Sequence, residues 1–190
     1  MLAETIKICE RDLITNVVVC ADGDLISGSI HRSIQVTNRE NVIEQIMIAS
    51  NLMKSFVEEF CKRGYTTSFI NVAGNHTRLT DKNDAIKDER LDNLIGWFVN
   101  SHLQIYPNFN YIKSEESTLG EFTVSGNRYL LCHGDYDKFS ESGLAKLVLA
   151  RGYRPTAILY GHYHTFAVDD VANVKLIRGG SLCGSGDDYT

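Results

Sequence analysis

Apolar positions recur along the chain in two periods, one near 3.6 residues and one of two. Leu2, Ile6, Cys9 and Leu13 share a helical face, so residues 2–13 read as a helix that begins at Met1 with no capping side chain ahead of it. Asn16-Val17-Val18-Val19-Cys20-Ala21 is a short buried strand that ends in Asp22-Gly23-Asp24. Thr37-Asn38-Arg39-Glu40 fits a capping box and predicts a long helix with Val42, Ile46, Met53, Phe56, Val57 and Phe60 inward and Gly64 as its stop. Residues 67–73 read as a strand followed by Gly74-Asn75-His76. A helix from about residue 85 to 103 carries Leu91, Leu94, Ile95, Phe98 and Val99, and Pro107 cannot continue it.

Hairpin chemistry enters in the second half. Residues 109–112, 120–124 and 128–132 read as strands, with Ser125-Gly126-Asn127 as a tight turn between the last two. Ser140 caps a helix reaching Arg151, which Gly152 ends. A strand over 156–160 runs into Gly161-His162-Tyr163-His164, and strands over 166–168 and 174–177 follow. Strands alternating with helices, then hairpins, predict a mixed α/β sheet system flanked by helices. Asp24, Asn75, His133 and His162 each fall just past the carboxyl end of an apolar strand, the edge where open α/β sheets bind ligands.

Composition narrows the function classes. A length of 190 residues suits one domain spanning 1–190, and neither a linker nor a repeat interrupts it. The net charge of −5 argues against tight non-specific binding to duplex DNA and favours divalent cations over anions. The five cysteines are odd in number and irregular in spacing, which fits reduced thiols in a cytoplasmic protein rather than disulfides or a zinc knuckle. No apolar run approaches the roughly 18 residues of a membrane span, and no signal peptide heads the chain.

The residue types at the strand ends suit metal chemistry. Imidazole binds manganese, zinc and iron. A carboxylate can bridge two cations. An asparagine adds a hard oxygen without charge. A glycine beside each candidate lets the backbone turn close to a ligand. Taken singly, Asp24, Asn75 or His133 reads best as a turn or hydrogen-bonded residue. Four compatible sites at strand ends read best as one constellation. A closed structural zinc site would be richer in cysteine.

Gly23-Asp24, Gly74-Asn75-His76, His133-Gly134-Asp135 and Gly161-His162-Tyr163-His164 resemble, in order and spacing, the motifs of the calcineurin-like metallophosphoesterases. The longer wording, including Gly23-Asp24-Leu25-Ile26-Ser27-Gly28 and Gly180-Ser181-Leu182-Cys183-Gly184, is similar to phage-encoded exonucleases related to Mre11/SbcD. The resemblance implies a four-layer αββα sandwich with two metal ions at the sheet edge, manganese first with zinc or iron as alternatives. It implies that Asp24 bridges the ions, that Asn75, His133 and His162 complete one site, and that His164 serves the other. His76 would stabilise the transition state or protonate the leaving oxygen. The implied reaction is hydrolysis of a phosphodiester, a nucleotide or a nucleic-acid end, by a hydroxide generated between the metals. Arg78, His31 and Arg39 follow ligand-bearing turns and are candidates for substrate phosphates.

The sequence departs from the family in one place. The family's opening strand, which ends in Asp-x-His, has no counterpart before Asp24. One ion site then has its expected ligands, and the other keeps only Asp24 and His164. Two accounts stand: a piece of a longer enzyme, or a catalytically impaired domain that binds a partner. A sandwich missing its first strand would expose a sheet edge, so a homo-oligomer contact or a second chain is expected to cover it.

Overall fold

The computed structural model describes residues 1–30, 32–80, 83–136 and 139–182. Its elements run α1 (Leu2–Arg11), β1 (Asn16–Ala21), α2 (Arg32–Thr37), α3 (Val42–Lys62), β2 (Thr66–Asn71), α4 (Asp92–Leu103), β3 (Phe109–Tyr111), β4 (Leu119–Val124), β5 (Asn127–Cys132), α5 (Glu141–Arg151), β6 (Ala157–Tyr160), β7 (Ala167–Val171) and β8 (Val174–Arg178). One sheet is parallel, in the order β1-β2-β3. The other is mixed, in the order β4-β5-β6-β8-β7, with hairpins β4-β5 and β7-β8 flanking a parallel centre.

Period-two alternation distributes the apolar residues over three packed layers. On β2, Phe69 faces the helices with Val57, Val99 and Leu103. Its neighbour Ile70 faces the second sheet, meeting Phe122 and Leu131, with Val18 and Cys20 of β1 alongside. On β5, Leu131 points into that inter-sheet layer, whereas Leu130 points outward to Leu144 of α5, Ile158 and Leu176. The result is helix, sheet, sheet, helix: the αββα sandwich that the motif pattern implies.

Three boundaries differ from the sequence reading. The capping box lies at Asn41 and Glu44, where Asn41 accepts from the amides of Ile43 and Glu44 and Glu44 accepts from the Asn41 amide. Thr37 instead ends α2, its hydroxyl donating back to the Ser33 carbonyl, so α2 is an element that six residues of weak pattern did not reveal. The helix α4 starts at Asp92 rather than near residue 85. The segment ahead of it is tied to the loop after β2, through the Leu91 amide on the Thr77 carbonyl at 3.0 Å and a bridge between Arg78 and Arg90. Cys9, Cys20, Cys61 and Cys132 are free thiols.

Candidate metal centre

Register brings the ligand-bearing loops together. Ala21 and Asn71 are level at the ends of β1 and β2, and Cys132 and Tyr160 are level at the ends of β5 and β6. All four strands run the same way within their sheets, so residues 22–24, 74–77, 133 and 161–164 meet at one rim. Two glycines permit the approach. Gly23 has φ +89°, and a methyl there would strike the Gly74 backbone and the His133 ring. A methyl on Gly74 would run into the Asp24 carboxylate.

His133 sits at the middle of the rim and is 1% exposed. Its Nδ1 lies 2.8 Å from the Asp22 carbonyl oxygen, which can only accept, so Nδ1 carries a proton. Its Nε2 lies 3.0 Å from Asp24 Oδ2 and 3.0 Å from Asn75 Oδ1. Both of those oxygens are acceptors. A neutral His133 therefore directs a third lone pair at two others, and this arrangement needs a positive centre among them. A proton serves that need in the metal-free chain. Burial alone would lower the His133 pKa, but the hydrogen bond to Asp24 and its charge outweigh burial and raise it to about 9. Burial works to raise the Asp24 carboxyl, yet the partnership with His133 and His76 holds it below the ordinary carboxylate range.

A divalent cation fits the same place better than a proton does, because it can satisfy all the acceptors at once. His162 adds a further donor: ligand atoms of Asp24, His133 and His162 lie within 4.8 Å of one another. The His162 ring meets His133 edge to face at 5.0 Å. Burial, then the nearby His133 charge, lowers its pKa, which keeps it available as a neutral ligand. Two carboxylate or amide oxygens and two imidazoles suit manganese, zinc or iron. The back of His133 is fixed by a carbonyl and Asp24 Oδ1 accepts the His76 amide at 2.8 Å, outer contacts of the kind that orient metal ligands.

The other candidates lie as follows. His76 donates from Nδ1 to the Ser27 carbonyl at 2.8 Å, and its Nε2 is 4.0 Å from Asp24 Oδ2. His164 lies two residues beyond His162, also with positive φ, outside the three-donor cluster, and its buried Nδ1 has no hydrogen-bond partner among the described residues. Arg78 follows the 74–77 loop closely, with Nε and Nη1 buried and without a hydrogen-bond partner among the described residues. Arg39 is 93% exposed and pairs with Glu40 at 3.7 Å, making no contact with the cluster among the described residues. His31 lies outside the described residues. Asp22 contributes its carbonyl to His133, and burial pushes its own carboxyl upward. Sequence reasoning missed Asp92, whose buried carboxylate accepts from the Gly74 and Leu25 amides. Read as the middle of a helix, it carried no signal of this role.

The family relationship agrees with this rim. Residues 16–190 match the Calcineurin-like phosphoesterase superfamily domain. Among curated proteins, none matches the chain significantly. Similar solved structures include a predicted phosphoesterase from Streptococcus pneumoniae (9% identity, TM-score 0.42, 87% of this chain and 72% of that one). Others are an archaeal phosphodiesterase (12%, 0.41, 88% and 85%) and zinc-complexed Vps29 from Entamoeba histolytica (12%, 0.36, 65% and 62%). By its match over residues 16–190, this chain belongs to the calcineurin-like phosphoesterase superfamily.

Proposed function

We propose that this chain hydrolyses a phosphodiester, a nucleotide or a nucleic-acid end, with a divalent cation held by Asp24, Asn75, His133 and His162. The observation that carries the reading is the convergence of two acceptor oxygens, Asp24 Oδ2 and Asn75 Oδ1, each 3.0 Å from the His133 Nε2 lone pair. The family is metal-dependent, and manganese is the first choice for this donor set, ahead of zinc or iron. When bound, such an ion supplies a Lewis acid for a phosphoryl oxygen and acidifies a water. The chain's own residues do the rest. Asp24 and Asn75 would offer the cation a negative and a dipolar oxygen, and His133 and His162 would complete the donor set. His76, with Nδ1 committed to Ser27, presents Nε2 beside Asp24; protonated there, it donates to the leaving oxygen. His164 would serve a second ion, and a buried Nδ1 without a hydrogen-bond partner among the described residues supports that role. Arg78, partly buried beside the 74–77 loop, is the leading contact for a substrate phosphate.

Hydrolysis of bis-p-nitrophenyl phosphate with manganese tests the assignment, and single-stranded DNA tests the nuclease form of it. Asp24→Ala and His162→Ala are expected to abolish turnover. Full activity in either variant contradicts the reading.

One observation favours a second reading, in which the domain acts through a partner. Among the described residues β1 pairs only with β2, leaving its other side open. Its sequence, Asn-Val-Val-Val-Cys-Ala, has neither charge nor proline to guard that edge. Metal binding by the isolated chain without hydrolysis is what this reading expects; turnover by the isolated chain at a rate typical of enzymes, ~1 per second or more, counts against it.

A further inference from the structure

We infer that Asp92 is a positioning residue that sets the spacing between the loop carrying Asp24 and the loop carrying Asn75 and His76, an inference that rests on the metal-binding part of the reading above. Asp92 opens α4 and is fully buried, at 0% exposure. A carboxylate in that environment is costly unless its oxygens are satisfied. Three donors satisfy it. Oδ1 accepts from the Leu25 amide at 3.3 Å, and Oδ2 accepts from the Gly74 amide at 2.8 Å and the Thr77 hydroxyl at 2.9 Å.

The sequence positions of those donors matter more than their number. Leu25 directly follows Asp24. Gly74 directly precedes Asn75. Thr77 directly follows His76. One carboxylate therefore grips the chain immediately beside each of these candidate functional residues. It touches none of the donor atoms that converge on His133 Nε2.

Asp92 is itself held in place. Asn71 on β2 donates to the Asp92 carbonyl at 3.4 Å and accepts from the Tyr111 hydroxyl at 2.8 Å. The Leu91 amide donates to the Thr77 carbonyl at 3.0 Å. The buried carboxylate thus stands on a sheet-anchored base and reaches out to two loops. The His76 amide on Asp24 Oδ1 and His76 Nδ1 on the Ser27 carbonyl also join these two loops, and the three buried bonds to Asp92 brace that link from behind, away from the converging ligand atoms. Ligands not held by such outer contacts bind metal about 10- to 100-fold more weakly.

Titration calorimetry with manganese alone, on the full chain, tests this. Asp92→Asn replaces one accepting oxygen by an amide NH2 that can only donate and meets a backbone N–H there, so it is expected to weaken manganese binding tenfold or more. Val99→Ala, a cavity in the same helix remote from the rim, serves as the structural control. It is expected to lower Tm while leaving manganese affinity unchanged. Wild-type affinity in folded Asp92→Asn, or a loss no greater than in Val99→Ala, overturns the inference. Should Asp92→Asn fail to fold, Thr77→Val removes one of the three bonds and is expected to weaken manganese binding at least threefold. Unchanged affinity there overturns the inference as well. Wild-type protein that binds manganese but hydrolyses nothing defeats the enzymatic reading and leaves Asp92 its role. Wild-type protein that binds no divalent ion defeats both.

Discussion

His133 and Asp24 tie the chemistry of the rim to pH. The His133 pKa rises from 6.5 to about 9 on folding without metal, so its contribution to stability is complete below about pH 6.5 and is lost as pH climbs through 9. The Asp24 carboxyl sits below its ordinary value, so its contribution is lost only as pH falls into the strongly acid range. The Tm of the metal-free chain is expected to fall between pH 6.5 and 9, and a flat profile over that window would contradict the pairing. Because a metal must displace the His133 proton, manganese affinity is expected to rise about tenfold per pH unit between 6.5 and 8; calorimetry in buffers of different ionisation enthalpy reads the released proton. Gly74→Ala drives a methyl into the Asp24 carboxylate and is expected to abolish manganese binding, which the same titration checks. Asp24, Asn75, His133 and His162 were legible in the sequence because each is a metal-competent type just past an apolar strand. Asp92 was not, because a side chain that binds backbone amides leaves no mark on the residues it binds.

The secondary elements were legible wherever their apolar period was strong, and mistaken where local hydrogen bonding replaced it. The helix over Val42–Lys62 was plain from its inner face, but its start was not. Thr37 to Glu40 has the spacing of a capping box, but Asn41 and Glu44 form the cap and Thr37 ends α2 instead. Asn41→Ala should therefore destabilise the chain by about 1 kcal/mol with no change in metal affinity, as urea denaturation and calorimetry together would show; a Thr37→Ala change of that size with none at Asn41 would reverse the assignment. The apolar period starts the helix before β3 too early because Leu91 continues the stripe of Leu94, Ile95 and Phe98. In the fold, the Leu91 amide and Arg90 backbone are drawn off to residues 77 and 78, so α4 opens only at Asp92.

Layering was the most legible property of the molecule. Alternation on β2 and β5 forces Phe69 and Ile70, and Leu130 and Leu131, to opposite faces, and a sheet with two apolar faces must be covered on both. Strand partnership was less so, because main-chain pairing is independent of side-chain identity. The open side of β1 is expected to be covered in solution by a second chain, and light scattering should report a species larger than the monomer. A strict monomer, with the amides of β1 protected only on alternate residues against deuterium exchange, would instead leave that edge bare.

The most direct test of the shared cation site is metal content per chain after manganese loading and removal of free ion, in wild type and in His133→Ala. Asp24, Asn75 and His162 lose their common centre with that imidazole. One tightly held ion per wild-type chain and none in the variant is the expected result; equal metal content in the two proteins would contradict it.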